Sequence, residues 1–498
     1  MDLMIPIDPQ SKKPMYEQIY AYICEEIRTG SLTAGERLPS TRALAGHLKI
    51  SRSTTQMAYD QLLAEGYVET RPYRGVFVAK MEGMVGAGPR IREEMETSEP
   101  EPAVDCRIDF SPRGIDLDSF PYNTWRKLSR NTLVDDNKEM FHSGSHQGEP
   151  GLREAIRGYL HSARGVECGA EQIIVGAGSE YLLMLLSQVL RAKYAGSGLR
   201  IAMENPTYRQ AYLVLRSLGH PVCPIGMDAF GMRPDFLVQS GANVAYVMPS
   251  HQFPTGAVMS VGRRQELLNW ASACEDRYLI EDDYDSEFRY RGKPIPALQG
   301  MDRQGRVIYL GTFSKCIAPA IRVSYMVLPP ELLRVYREKT GFYASTVSRI
   351  DQNILYQFLA QGHFERHLNR MRAIYKAKHD ALLTAIRPLE GRFVIHGENA
   401  GIHILLTGRC GQAEADLIRQ ALAVGVRVYG LSGYFIDPVC GGEKTALSPA
   451  APLADAEETG ALPDEAGIRP ATIVLGYASL SEAQIREGAG LLVQCWCP

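Results

Sequence analysis

The sequence predicts an α/β protein built from two unlike parts, a small N-terminal helical unit ending in a β-hairpin and a large C-terminal α/β domain. Three observations support this prediction. The chain has 498 residues, more than the ~250–300 at which a single hydrophobic core stops growing. Near the N-terminus, apolar positions follow a helical period and then change to a period of two. After Cys106, short apolar runs alternate with helical stretches, which is typical of an α/β sheet.

The composition is that of a folded globular protein. Apolar residues make up 45% and charged residues 22% of the chain, which excludes a mostly disordered protein. The ten cysteines lack the spacing of a zinc site, so no metal site is expected. The sequence has neither a signal-peptide pattern nor an apolar run of ~18 residues, so we expect a cytoplasmic protein without membrane partners. Since the net charge is only −3, a basic surface has to be sought segment by segment.

Composition also divides the chain into domains. Residues 1–80 form the first predicted domain, and 107–498 form the second. Between them, 81–106 is rich in glycine, proline and acidic residues, which predicts a flexible linker. A polar stretch rich in glycine, proline and alanine, 437–470, has neither a helical nor a strand period and is predicted to be a mobile insertion.

Three helices and a hairpin are expected in the first domain. Pro14 begins a helical pattern that Gly30 ends. Ser40 and Ser51 stand where they can cap a second and a third helix. The connection between these two helices is so short that a helix-turn-helix is predicted. Beyond it, two strands with a period of two flank the turn 71–75, which indicates a β-hairpin or wing.

A basic patch is hidden in this domain. Residues 37–80 include seven basic and three acidic residues. Arg52, with the polar Ser53 and Thr54, begins the third helix, whose N-terminal turn would reach base edges of double-stranded DNA. Basic side chains elsewhere in the patch could contact phosphate. For any single arginine, a solvated charged face stays open as the alternative.

Several spaced motifs resemble the winged-helix domain of GntR-family regulators. The strings are 38–45, 51–54 and 65–67. The resemblance implies DNA binding through Arg42, Arg52 and the wing residues Arg74 and Gly75. Gln56 stands where some members carry an additional arginine, which leaves the base preference open.

In the second domain, polar residues follow several of the predicted strands. These strands are 173–175, 200–203, 244–248, 278–280, 307–310 and 324–327. After the first of them, 176–180 leads into a helix whose free backbone N–H groups could hold a phosphate. Ligands gather at the carboxyl ends of the strands in such sheets, so a ligand site is expected there.

The segments 281–285 and 311–315, taken together, indicate a site for an aldehyde cofactor that carries a phosphate. Lys315 would supply the amine for a Schiff base. Asp282 would pair with a pyridinium nitrogen, and Tyr284 would hydrogen-bond the phenolic oxygen. The phosphate dianion would be held by Thr312, Ser314 and Arg322. A lone lysine or an acidic run is usually a surface feature, whereas this combination is much more specific.

These residues resemble the fold type I aminotransferases, which use pyridoxal 5′-phosphate (PLP), across roughly 108–496. The further supporting motifs are 147–153, 204–208 and 254–256. The resemblance implies that Lys315 forms the internal aldimine and that Tyr208 stacks on the cofactor ring. It also implies that Gly178 and Ser179 supply backbone N–H groups to the phosphate.

A winged helix joined by a linker to an aminotransferase-like domain resembles the MocR/GabR subfamily of GntR regulators. The strings 250–256 and 281–288 are similar to that subgroup. The resemblance implies a homodimer and a small-molecule effector, either PLP itself or an amine or amino acid joined to PLP. The expected function is a PLP-dependent, DNA-binding transcriptional regulator.

Two positions depart from the aminotransferase pattern. Phe253 stands where these enzymes carry an asparagine, and Val474 aligns with the arginine that grips the substrate carboxylate. Efficient transamination would then need another donor. The candidate donors are Arg209, Arg427 and Arg469. Two alternatives stay open: an active PLP-dependent aminotransferase with an accessory DNA-binding domain, and an interaction protein in which neither site functions.

Overall fold

The computed structural model describes residues 3–80, 106–133, 138–195, 198–290, 295–398, 400–409, 411–436 and 470–497. The chain divides into two compact units, Met1–Ala103 and Val104–Pro498. The predicted linker, apart from Cys106, and the predicted insertion, apart from Pro470, lie outside the described residues. The boundaries of both therefore stay predictions.

The N-terminal unit has the predicted three helices and hairpin. Its elements are α1 (Met15–Thr29), α2 (Thr41–Leu48), α3 (Arg52–Ala64), β1 (Val68–Arg71) and the antiparallel β2 (Gly75–Val78). Gly30 ends α1 in the left-handed conformation, with φ +81°. The Ser40 hydroxyl accepts from the Ala43 N–H at 3.1 Å, and the Ser51 hydroxyl accepts from the Thr54 N–H at 3.2 Å. Both predicted caps are confirmed.

The core of this unit forms between the apolar faces of the helices. Ile19 and Ile23 of α1 pack with Leu62 of α3, and all three are fully buried. Leu3 and Ile5 join the same cluster from the segment before α1. These two core residues could not be predicted from the sequence, because so short a segment shows no period.

The C-terminal unit is organised around an eight-stranded sheet in the order β4-β11-β10-β9-β8-β5-β6-β7. Its strands are β4 (Ile173–Gly176), β5 (Ile201–Asn205), β6 (Val222–Asp228), β7 (Gly231–Met232), β8 (Val244–Val247), β9 (Tyr278–Asp283), β10 (Val307–Thr312) and β11 (Ser324–Val327). A short strand, β3 (Ile108–Asp109), precedes them and pairs with β14 (Val426–Arg427). All six strands predicted after Cys106 are confirmed, and β6 and β7 are additional.

A smaller antiparallel sheet has the order β12-β13-β16-β15. Its strands are β12 (Phe393–His396), β13 (His403–Gly408), β15 (Tyr429–Gly430) and β16 (Thr472–Gly476). The helices of this unit are α4 (Tyr122–Leu133), α5 (Pro150–Arg164), α6 (Ser179–Lys193), α7 (Arg209–Ser217), α8 (Pro234–Gln239), α9 (Val261–Ser272), α10 (Pro330–Lys339), α11 (Arg349–Ala360), α12 (His363–Ile386), α13 (Glu414–Ala423) and α14 (Glu482–Trp496). None of the helices in the described ranges is long and apolar enough to cross a membrane.

Two strand features position the site. β9 and β10 continue past their apolar runs, since Asp282 pairs with Leu310 and Asp283 pairs with Gly311 in parallel register. Asp282 and Asp283, which were expected just after the strand, therefore lie at the end of β9 itself. β11 runs antiparallel to both β10 and β4, so the segment between β10 and β11 reverses direction at the edge of the sheet where β9 ends.

Candidate cofactor site and DNA interface

Asp282 lies on one face of β9, where it is buried beside Tyr246 of β8. The Tyr246 hydroxyl donates a hydrogen bond to Asp282 Oδ2. Burial raises the pKa of Asp282 to about 7, and the Tyr246 hydrogen bond opposes that rise. A cationic partner would stabilise the ionised form of this carboxylate, which is what a pyridinium nitrogen provides. Sequence analysis did not find Tyr246 because nothing in an apolar strand marks one tyrosine as a carboxylate partner.

Asp283 points to the opposite face of β9, because successive side chains of a strand alternate. It accepts from Arg164 Nε at 2.8 Å and from the Tyr309 hydroxyl at 2.6 Å. Arg164 also donates to the Ser250 hydroxyl at 2.7 Å. This buried network anchors the end of β9, and so holds Asp282 in place on the other face.

Lys315 lies in the segment between β10 and β11 and is half-buried. Its Nζ donates to the carbonyl of Arg113 at 3.0 Å and to that of Pro112 at 3.3 Å. Burial lowers the pKa of Lys315 to about 8, and the negative charge of Asp285 opposes that effect. More of the neutral amine is therefore present near neutral pH than in an ordinary lysine, and the neutral amine is the nucleophile.

Tyr284 belongs to a cluster with His251 and Asp285. Its hydroxyl lies 3.0 Å from His251 Nδ1, which is also 2.9 Å from Asp285 Oδ2. Burial raises the pKa of Tyr284 well above its usual value, so its hydroxyl keeps its proton. His251 Nε2 is buried and has no hydrogen-bond partner in the described part of the chain. The role of His251 is not predictable from its own position in the sequence, where the string 250–256 is its only signal.

Phe253 lies at the centre of an aromatic cluster. Its ring centroid is 6.2 Å from that of Tyr208 and 5.8 Å from that of Tyr284. The rings of His403 and Tyr434 lie 5.3 and 5.2 Å away. A buried phenyl ring cannot replace the hydrogen bond of an asparagine, so it contributes an apolar wall instead. Burial also raises the pKa of Tyr208 to about 12.

The residues predicted to hold the phosphate form two groups. Gly178 has φ +99° and precedes Ser179, the first residue of α6. A Cβ atom on Gly178 would lie 2.3 Å from Arg322 Nη2, so a larger residue would displace this guanidinium, and the positive φ itself favours glycine. Arg322 donates to Glu180 Oε2 at 2.8 Å and to the Ala177 carbonyl at 3.3 Å. The structure thus brings the N-terminus of α6 and Arg322 together.

The second group lies at the end of β10. The Thr312 hydroxyl oxygen accepts from the Ser314 N–H at 3.1 Å and contacts the Ser324 hydroxyl at 2.8 Å. These contacts shape the turn that carries Ser314 and Lys315. The Thr312 hydroxyl oxygen is therefore already hydrogen-bonded to two partners. Its contact with a phosphate stays a prediction.

These features fit an aldehyde cofactor with a phosphate and a ring nitrogen. A buried carboxylate whose pKa is raised to about 7, a lysine amine whose pKa is lowered to about 8, and a glycine cradle beside an arginine supply the three functions such a group needs. Within the described ranges no cluster of His, Cys, Asp and Glu side chains is arranged to hold a metal ion.

The departures from the aminotransferase pattern are visible in the structure. Val474 is fully buried in β16, where it pairs with Leu405 and Tyr429. Of the candidate replacement donors, Arg209 donates to the Gly433 carbonyl at 3.0 Å. Arg427 lies over the Tyr429 ring at 5.6 Å, and Arg469 falls outside the described residues.

On the N-terminal unit, the predicted DNA contacts lie on α2, α3 and the wing. Arg42, Arg52 and Arg74 are exposed, and none forms an ion pair with another described residue. The hydroxyls of Ser53 and Thr54 lie 2.7 and 2.8 Å from the Ser51 hydroxyl, so both support the cap of α3. At Gly75, φ is +106° and a Cβ atom would lie 3.4 Å from Arg37 Nε. Arg37, a basic residue to which sequence analysis gave no role, therefore lies beside the wing.

Thr55 sets the relation between the two helices of the helix-turn-helix. It is fully buried, and its hydroxyl donates to the carbonyls of Thr41 and Arg52, both at 2.9 Å. We expect Thr55→Val to lower the free energy of unfolding of this unit by about 1 kcal/mol, because a net hydrogen bond is lost. Hydrogen exchange of the α3 amides in the full-length protein would accelerate about fivefold. The exposed Thr70→Val is the matched control, and equal exchange in the two variants would contradict the prediction.

Comparison with known proteins agrees with both halves of this description. Bacterial regulatory proteins of the gntR family match residues 15–78, and aminotransferase class I and II matches residues 116–435. The uncharacterized HTH-type transcriptional regulator YhdI of Bacillus subtilis is 38% identical over 100% of this chain and 99% of its own length. The probable rhizopine catabolism regulatory protein MocR of Rhizobium meliloti is 32% identical over 98% of each chain.

Among solved structures, the multiple substrate aminotransferase of Thermococcus profundus is 25% identical, with a TM-score of 0.63, over 84% of this chain and 96% of that one. The fold type I aminotransferase fold of the large unit is thereby confirmed. The gntR match confirms the winged-helix class of the small unit and implies DNA binding. The chain belongs to the MocR-type regulators of the GntR family, in which a winged helix is joined to an aminotransferase-like domain.

Proposed function

We propose that this protein is a PLP-dependent transcriptional regulator that binds operator DNA as a homodimer in the cytoplasm. PLP itself, or an amino compound joined to it, acts as the effector that biases DNA binding. One observation carries the proposal. The pocket has a lysine and a carboxylate suited to PLP, but the position expected to grip a substrate carboxylate is the buried Val474. Such a pocket is suited to capturing a cofactor and poorly suited to rapid turnover.

Each side chain of the pocket has a distinct part in this function. PLP, when bound, supplies an electrophilic aldehyde carbon and an electron-withdrawing ring. Lys315 offers its amine, and Asp282, aligned by Tyr246, keeps a proton on the ring nitrogen. Tyr284 would donate a hydrogen bond to the phenolic oxygen of the cofactor, and His251 orients the Tyr284 hydroxyl. Arg322 and the first N–H groups of α6 bind the phosphate, while Phe253 and Tyr208 exclude water from the ring faces.

The test is DNA binding by the apo-protein at fixed salt, first alone, then with PLP, and then with PLP plus a panel of amines and amino acids. The DNA is the region upstream of its own gene. A change in affinity with PLP alone would identify the cofactor as the effector. A change that requires one amino compound would identify that compound. No DNA binding under any condition, with turnover of an amino donor and a keto acid, would contradict the proposal in favour of an enzyme.

Covalent PLP uptake should depend on pH through Lys315. Because burial lowers the pKa of Lys315 to about 8, the fraction of Lys315 in the neutral amine form increases as the pH rises through that value. We expect the rate of the absorbance change on mixing apo-protein with PLP to rise with pH, with a midpoint near pH 8. An exposed lysine would give a midpoint above pH 10, and that result would contradict the assignment.

A further inference from the structure

Arg113 is a cationic side chain at the cofactor pocket to which neither the sequence pattern nor the proposed function gives a role. Its own carbonyl, 3.0 Å from Lys315 Nζ, places its backbone against the lysine. Pro112 makes the neighbouring contact at 3.3 Å. The side chain of Arg113 is exposed and forms no ion pair with any residue that the structure describes.

The loop that carries Arg113 is held from its other side by the end of β16. The Gly476 N–H donates to the Phe110 carbonyl at 2.9 Å. A Cβ atom on Gly476 would lie 2.2 Å from the Ser111 carbonyl oxygen, and one on Gly114 would lie 2.5 Å from Ser479 Oγ. Such close approach leaves the loop backbone little room to shift, so the backbone of Arg113 is held beside Lys315.

The charge of Arg113 acts on the groups that line the pocket. Burial raises the pKa of both Tyr208 and Tyr434, and the positive charge of Arg113 opposes that rise at each phenol. Burial lowers the pKa of Lys315, and Arg113 adds to that effect. The guanidinium is therefore within electrostatic range of the lysine and of two members of the aromatic cluster around Phe253.

The other arginines near the pocket are engaged elsewhere. Arg322 is held by Glu180 and the Ala177 carbonyl. Arg209 donates to the Gly433 carbonyl, and Arg427 lies over the Tyr429 ring. Arg113 differs from them in that its charge acts on Lys315.

We propose that Arg113 recognises the carboxylate of the effector, which makes the effector an amino acid rather than a simple amine. A guanidinium binds a carboxylate through two parallel N–H···O bonds, and it would orient the amino group of such a ligand toward the lysine. This assignment rests on the proposed function, since it concerns the same PLP pocket.

The test compares two aminooxy probes that differ in one carboxylate, aminooxyacetate and methoxyamine, on the full-length protein loaded with PLP. In both, the aminooxy nitrogen forms a C=N bond to the cofactor carbon, the bond from that carbon to Lys315 breaks, and the two aminooxy protons pass to the lysine amine. The measurement is the ratio of the two second-order rate constants, followed by absorbance. A change in Lys315 reactivity affects both probes alike, so the ratio reports the carboxylate.

We expect wild-type protein to favour aminooxyacetate by about tenfold, a ratio near one for Arg113→Met, and an intermediate ratio for Arg113→Lys. Arg209→Met tests the competing donor and should keep the wild-type ratio. An unchanged ratio in Arg113→Met, a ratio of one in wild-type protein, or loss of the preference in Arg209→Met would each overturn the assignment. PLP uptake is measured first in each variant. Failure of wild-type protein to take up PLP would overturn the proposed function as well, whereas normal uptake with an unchanged ratio overturns the assignment alone.

Discussion

Replacing Lys315 with alanine is expected to abolish covalent uptake of PLP and, with it, every effect of PLP on DNA binding. The side chain is half-buried, and burial lowers its pKa to about 8. Lys315 supplies the amine for the covalent bond. The carboxylate of Asp282 and the guanidinium of Arg322 can bind the cofactor, but neither can form a bond to its aldehyde carbon. The measurement is the visible absorbance of PLP-treated protein after removal of free cofactor.

Lys339→Ala is the matched control for this experiment, because Lys339 is an exposed lysine at the end of α10. It should take up PLP as wild-type protein does. Both variants should bind DNA without cofactor equally well, since Lys315 lies in the other unit. Retention of the absorbance band in Lys315→Ala would show that another amine is the attachment point, and the cofactor site would then have to be assigned anew.

The fold could be predicted from the sequence where its signals are local. The caps at Ser40 and Ser51 and the left-handed Gly30 act on their own helix ends, so the N-terminal unit follows its sequence pattern closely. The antiparallel direction of β11 could not be predicted, because a run of four residues carries no information about direction. The short strands of the second sheet, such as β15, are likewise fixed by pairing with distant β16.

The same distinction applies to the candidate site. The sequence predicts Lys315, Asp282 and Tyr284 as site residues because they occur in short runs of polar residues after apolar strands. The contacts that set their chemistry come from elsewhere in the chain: Tyr246 for Asp282 and the Arg113 carbonyl for Lys315. Such contacts depend on how strands are ordered in the sheet, and strand order is not readable from one sequence.

Replacing Arg52 with alanine is expected to weaken operator binding by about 1–3 kcal/mol, roughly fivefold to 150-fold, and to relax the sequence preference at one position. Arg52 is the first residue of α3, held at the helix N-terminus by the Ser51 cap, and its side chain is exposed without an ion-pair partner in the part of the chain described. In helix-turn-helix proteins this is the turn that reaches base edges in the major groove. The measurement is titration of wild-type and variant protein against the operator and against single-base variants of it.

Arg74→Ala separates base recognition from phosphate contact, because Arg74 lies in the turn between β1 and β2. It should weaken binding to operator and unrelated DNA by similar factors and reduce the salt dependence by about one unit of slope. Lys12→Ala, an exposed lysine before α1, should change neither quantity. If Arg52→Ala also weakens all sequences equally, its contact is with phosphate, and base recognition must come from other residues of the helix, among which Gln56 is exposed. The two expected results together would assign sequence preference to the N-terminal turn of α3 and sequence-independent affinity to the wing.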